Sequence, residues 1–383
     1  MNIVHYFPTT RLSEGGTVRA AIDFCAVLAR RGNSITWLTC DDEDVPESWK
    51  KKAPNTPDVV LLGKLENARG RLTKQQIAKA TEVVRAADVV HIHAMWTPSN
   101  PQVAKACTAT GTPWILSIHG MLDDWCMEQR RLKKRLYLST MGRIMPRGAA
   151  IFHATAEEEK RQASRWLKHS NISVIPCIVD LEPYKELPEA QEALDFYGEC
   201  DSPTVLFLSR VHEKKSIETL IDAAKLLKER GQSIRLFIAG GGEESYIQTL
   251  KARANAAGIA DQVQFLGIVS GTLKYSLFAM ADVFALPTQQ ENFGLVYPES
   301  MLCGTPVIGT KGTDIWRELE EGGAVIAART PEAFADAIQS MCNDKPLLKK
   351  LSSKGRAHML AWLNTDSVGM QYEEMYRKAV NEQ

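Results

Sequence analysis

The sequence has no C-x-x-C pair, no run of 18 apolar residues, no excess of either charge and no G-x-G-x-x-G step, and each gap removes a class of protein. Its eight cysteines, Cys25, Cys40, Cys107, Cys126, Cys177, Cys200, Cys303 and Cys342, are scattered without zinc-like Cys/His spacing, so reduced and mostly buried thiols are expected. MNIVHYFPTT lacks a basic start, and with no long apolar run neither an export signal nor a membrane span is read; a cytoplasmic protein is expected. Lys plus Arg equal Asp plus Glu at 46 each, so bulk electrostatics gives no case for a nucleic-acid partner. Without the glycine fingerprint, a NAD-dependent dehydrogenase is disfavoured.

What is present is length and alternation. A chain of 383 residues exceeds what one hydrophobic core usually organises. Short Ile/Val-rich runs alternate with segments of helical period, the pattern of a parallel sheet covered on both faces. One series runs through NIVHYFP, SITWLTC, DVVLLG, DVVHIH, PWILSIH and AAIFHAT; a second through PTVLFLS, SIRLFIAGGG, QVQFLG, DVFALP, PVIGT and AVIA. Between them NISVIPCIVDLEPYKELPEA, with three prolines, reads as a linker. The expectation is an α/β protein of two doubly wound Rossmann-like domains, residues 1–177 and 178–365, facing across a cleft at the carboxyl ends of their strands.

Candidate site residues cluster after those strands. In ENFGLVYPES a helix is predicted to begin near Gly294 or Leu295, with Pro298 in its first turn. The free amides of Phe293 to Leu295 would then suit a phosphate. Glu291 and Glu299 flank that point, and a carboxylate accepts two hydrogen bonds from vicinal hydroxyls; the plainer reading is acids at a helix start. SRVHEKKS offers Arg210 and Lys215 as diphosphate ligands, or is a solvated charged turn. The triplet in IAGGGEES is either a close-approach loop or a strand-to-helix turn. Gly15 and Gly16, after the first strand, favour a ligand loop, and His119 ends another strand. His91 and His93 share a strand face, and a core or cleft-rim role is preferred to a metal pair because no third ligand is evident. CDDEDV and LDD read as polar loops. The segment MEQRRLKKRLYLSTMGRIMPRG, residues 127–148, is basic and amphipathic; peripheral contact of 126–147 with an anionic membrane and an ordinary basic-faced helix stand about even.

Taken in order, the Gly15-Gly16 loop, DVVHIH, the SIHG histidine, SRVHEKKS, FIAGGG, FLG, ADVFALP and the Glu291/Glu299 pair resemble the retaining nucleotide-sugar glycosyltransferases of family 4, with the GT-B fold, over nearly the whole chain. The resemblance implies that Glu299 binds donor ribose hydroxyls and that Glu291 contacts the transferred sugar. The amides of Asn292, Phe293, Gly294 and Leu295 would surround sugar and phosphate, and Arg210 and Lys215 would hold the diphosphate. His119 would lie near the reacting carbon, Gly16 would approach the donor, and Gly267 would lie by the nucleobase. Ser209 and Ser216 stand where the family has glycines, and Gln290 precedes the first glutamate, departures that leave the implied phosphate role intact. The final helix, 366–383, would pack back on the first domain. The implied activity is metal-independent transfer of a hexose-type sugar, with retention, from a UDP- or GDP-sugar to a saccharide or lipid-linked acceptor in polysaccharide or glycolipid biosynthesis. No cofactor is implied, and the enzyme would be cytoplasmic or peripheral at the inner membrane face. An epimerase on the same fold, or a non-catalytic nucleotide-sugar binder, are the rival readings.

Overall fold

The computed structural model describes residues 1–65, 70–167 and 171–381. The chain separates into two compact units, Met1–Asp180 with Leu363–Gln383, and Leu181–Trp362.

The first unit holds a seven-stranded parallel sheet of β1 (Asn2–Tyr6), β2 (Ser34–Thr39), β3 (Asp58–Leu61), β4 (Val89–His93), β5 (Trp114–Ser117), β6 (Ile151–Ala154) and β7 (Ile172–Val174), in the order β3-β2-β1-β4-β5-β6-β7. Its strands are apolar on both faces because both are covered. One face carries Ile3, Trp37, Val89, Ile115 and Ile151, and it packs on the helices Gly16–Arg30 and Thr365–Asn381. The other carries Val4, Tyr6, Leu38, Ile92 and Leu116, packed on helix residues such as Val84 and Val103. The closing helix buries Val368, Tyr372, Met375, Tyr376 and Ala379, one stripe at three- and four-residue spacing. Arg31 ties its outer side down through Asp366 at 2.7 Å and Glu373 at 3.1 Å.

The linker expectation needs correcting at its start. Ile172–Val174 is an edge strand paired in register with Phe152–Ala154, so that part of NISVIP belongs to the first sheet. Three residues followed closely by Pro176 carry too little alternation to read as a strand.

The second unit has a six-stranded parallel sheet of β8 (Thr204–Leu208), β9 (Arg235–Ala239), β10 (Val263–Gly267), β11 (Val283–Ala285), β12 (Val307–Gly309) and β13 (Val325–Ile326), ordered β10-β9-β8-β11-β12-β13. Strand order reverses between β8 and β11, so the loops leaving these two neighbours diverge and open a crevice at their carboxyl ends. The loop after β8 contains Arg210 and Lys215, and the loop after β11 contains Glu291.

The basic segment splits between two environments. Met145 is buried, and Leu138 and Ile144 pack against the core. Helix Arg131–Ser139, however, buries no residue, and Leu132, Leu136 and Met141 stand exposed. Among the described residues no helix is long and apolar enough to cross a membrane.

Candidate functional site

In the second unit the crevice is built from two ion pairs. Lys215 ends a short 3-10 turn, Glu213–Lys215, that follows β8; its side chain is buried and its Nζ pairs with the Glu291 carboxylate. A solvated charged turn is therefore the wrong description of this lysine. Burial, reinforced by the neighbouring Lys214 and Arg210 charges, lowers its pKa from 10.5 to about 7. Ser216 follows in the left-handed region at φ 52°. That backbone, and not the side chain, is what the glycine of similar sequences would supply. Arg210 is exposed on the same loop.

The second pair joins Glu299 Oε1 to Lys274 Nζ at 2.6 Å. Glu299 Oε2 is buried and has no partner among the described residues. Such an atom is costly to leave bare, and its natural complement is a ligand hydroxyl. Lys274 escaped the sequence reading because it sits on another helix, Thr272–Met280, with no motif around it.

The helix after β11 runs Val296–Leu302, one to two residues later than predicted, with Leu295 as its N-cap. The amides of Phe293, Gly294 and Leu295 donate to no protein acceptor among the described residues. Gly294 makes this turn possible: φ is 60°, and a Cβ there would lie 2.8 Å from Glu291 Cγ and 2.9 Å from Tyr297 Cδ2. Phe293 stacks on Trp362 at 5.5 Å. Asn292 donates from Nδ2 to Asp314 Oδ2 at 3.0 Å, and the Glu291 amide donates to Gly312 O at 2.7 Å, so the loop is pinned from its far side.

The glycine triplet serves packing. A Cβ on Gly240 would collide with the carbonyl of Ser209, and one on Gly242 with that of Val211, so these glycines let the loop carrying Arg210 lie against the end of β9. Gly267 closes β10 at φ 70° with open space where a side chain would project.

In the first unit Gly15 (φ 116°) caps the helix that Gly16 begins, again with open space at both Cβ positions. His119 lies two residues past β5, at φ 54°, partly exposed. A third histidine beside His91 and His93, which the sequence reading did not find, does exist: it is His5, from β1. Parallel pairing sets His5 opposite His91, which no local spacing encodes. One nitrogen from each ring lies within 4.8 Å of the others, yet the void there is only about 10 Å³ and the ring nitrogens are already hydrogen-bonded. Asp41 in CDDEDV accepts from the Thr10 amide at 2.9 Å and hydroxyl at 2.6 Å, a polar loop as expected.

Residues 14–183 match the model for Glycosyltransferase Family 4, and residues 192–358 match that for Glycosyl transferases group 1. The GDP-mannose-dependent alpha-(1-6)-phosphatidylinositol monomannoside mannosyltransferase of Mycobacterium tuberculosis is 27% identical over 71% of this chain and 71% of its own. The phosphatidyl-myo-inositol mannosyltransferase of Mycobacterium leprae is 27% identical over 89% and 87%. Among solved structures, Anabaena Alr3699/HepE in complex with UDP superposes with a TM-score of 0.80 at 20% identity, covering 98% of this chain and 99% of that one. Sucrose-phosphate synthase from Thermosynechococcus elongatus gives 0.75 at 20% identity, covering 98% of each.

Proposed function

Because the chain belongs to glycosyltransferase family 4, with the GT-B fold, and is a glycosyltransferase acting on nucleotide sugars, we propose that it transfers a hexose-type sugar from a UDP- or GDP-sugar to an acceptor hydroxyl with retention and without a metal. The observation that carries the donor half is the paired crevice between β8 and β11, above all the bare, buried Glu299 Oε2.

A buried ammonium needs a counter-charge, and Glu291 supplies it while no diphosphate is bound. When a diphosphate takes over that role with Arg210 and the amides of Phe293 to Leu295, Glu291 is released to accept from hydroxyls of the transferred sugar. Lys274 holds Glu299 so that Oε2 accepts from ribose hydroxyls. Transfer then depends on stabilising the departing nucleoside diphosphate, and Lys215, Arg210 and the loop amides oppose its growing charge. With cations and amides in that role, no metal is required. Gly16 and His119 in the first unit, and Gly267 in the second, are further candidates for substrate contact.

The exposed Leu132, Leu136 and Met141 among Arg131, Lys133, Arg135 and Arg143 favour the membrane reading of 126–147, since an ordinary helix would bury its apolar side. Together with relatives whose names specify phosphatidylinositol-based acceptors, this favours a lipid-linked acceptor and a peripheral place at the membrane.

Calorimetric titration with UDP and GDP tests the donor site. Glu299→Ala should weaken the preferred nucleotide by about tenfold to a hundredfold, the worth of hydrogen bonds to a charged acceptor. Unchanged affinity would remove the assignment. Proton NMR of the glycoside product, with EDTA present, reads retention and metal independence together; an inverted anomer or loss of turnover would overturn the respective claim.

A further inference from the structure

Five of the eight histidines form one hydrogen-bonded chain on a single face of the first sheet. His119 Nε2 meets His93 Nδ1 at 3.1 Å, and His93 Nε2 meets His5 Nδ1 at 3.0 Å. His5 Nε2 lies 3.4 Å from the Tyr376 hydroxyl, which lies 2.8 Å from His91 Nδ1. His91 Nε2 reaches Ser117 Oγ at 2.6 Å, and Ser117 Oγ reaches His153 Nδ1 at 2.6 Å. His153 Nε2 ends the chain on the Ile175 carbonyl at 2.9 Å and the Tyr372 hydroxyl at 3.0 Å.

Two carbonyls fix the direction of every proton in it. A carbonyl only accepts, so His153 Nε2 must carry hydrogen toward Ile175 O. Tyr372 must likewise donate to Pro176 O at 3.0 Å, which leaves its oxygen able only to accept from His153. His153 Nδ1 is then bare and accepts from Ser117, whose oxygen accepts from His91 Nε2. Tyr376 donates to His91 Nδ1 and accepts from His5 Nε2. His93 donates from Nε2 to His5 Nδ1, and His119 donates from Nε2 to His93 Nδ1. No step needs a charged ring, in keeping with burial of His5, His91, His93 and His153.

We propose that this chain sets the tautomer of His119, leaving its Nδ1, which has no protein partner among the described residues, as an acceptor for a ligand hydroxyl, and that Tyr376 and Ser117 are positioning residues for that role. The second half rests on the assignment of His119 to sugar contact; the first does not.

Tyr376→Phe is the decisive variant. Removing the hydroxyl between His5 and His91 strands a buried N–H at His5 Nε2, and the three rings His5, His93 and His119 relieve it by reversing together. In protein labelled with 15N-histidine, the wild type should show His119 as Nε2–H, and Tyr376→Phe should convert it wholly or largely to Nδ1–H. Tyr372→Phe, which removes a hydroxyl from the same helix but leaves the Ile175 carbonyl, should keep the wild-type tautomer. An unchanged His119 in Tyr376→Phe, an equal change in Tyr372→Phe, a charged His119 at pH 7, or wild-type protein in which added Zn2+ shifts His5, His91 and His93 together would each overturn the chain. Donor kcat/KM in Tyr376→Phe should fall about tenfold, one hydrogen bond's worth, with affinity for the free nucleoside diphosphate unchanged. If the tautomer reverses and kcat/KM does not move, the chain stands and the sugar-contact role of His119 fails.

Discussion

Lys215 is a buried cation whose pKa, pushed down to about 7, places its charge at the edge of physiological pH. The group is charged below that value and increasingly neutral above it, so a diphosphate should bind free enzyme more tightly at pH 6 than at pH 9, taking up a proton as it does so. Calorimetry in two buffers of different ionisation heat reads that proton; affinity independent of pH would exclude Lys215 as the ligand. Lys215→Ala should lower kcat by on the order of a hundredfold to a thousandfold, as loss of one preorganised charge stabiliser does elsewhere. Glu299 and Lys215 were legible as candidates because each follows a recognisable strand. Their partners were not all legible: Lys274 lies 25 positions before Glu299, on a helix without a motif. Ser216, at φ 52°, accepts roughly 1–2 kcal/mol of backbone cost where glycine would accept none.

Among the elements, helix Arg131–Ser139 is unusual in fully burying no residue, although Leu138 packs partly against the core, while presenting Leu132 at 82% and Leu136 at 64% exposure. Such a face is stable in water only at the expense of exposed apolar area, and contact with acyl chains beside anionic headgroups relieves that. Co-sedimentation with phosphatidylglycerol-containing vesicles should occur at low salt and fall several-fold in Leu132→Ser/Leu136→Ser. Equal binding by that double variant would remove the apolar contribution, and no sedimentation of the wild type would remove the membrane contact. The twelve strands expected from alternation all form, since buried parallel strands are short continuous apolar runs. β7 escaped because Ile172–Val174 is short and runs into a proline-rich stretch. The helix start after β11 moved by a residue or two because Gly294, at φ 60°, turns the chain before the helix begins.

At the scale of the whole molecule, neutral histidines tie stability to pH. Burial lowers His5 from 6.5 to about 3 and His153 to about 4, and it holds His91, His93 and His119 low as well. An unfolded chain takes up these protons as pH falls through 6.5, while the folded one does not, so stability present above 6.5 is lost progressively toward pH 3. Each such proton steepens the loss by ~1.4 kcal/mol per pH unit. Chemical denaturation midpoints should therefore be level above about pH 7.5 and drop steeply between 6.5 and 5, before most carboxylates titrate. A level profile across that window would contradict neutral burial of the row.

The sequence by itself determined the alternation of apolar strands and helices, the two sheets that follow from it, and the loops after β8 and β11 that carry the candidate binding residues. Those are properties of neighbours in the chain, set by periodicity and turn chemistry. Only the tertiary structure decided which polar groups meet: Lys215 with Glu291 across 76 positions, and His5 with Tyr376 across 371. Strand order and register choose such pairs, and they are fixed by the packing of a whole sheet against its helices rather than by any segment's own preference.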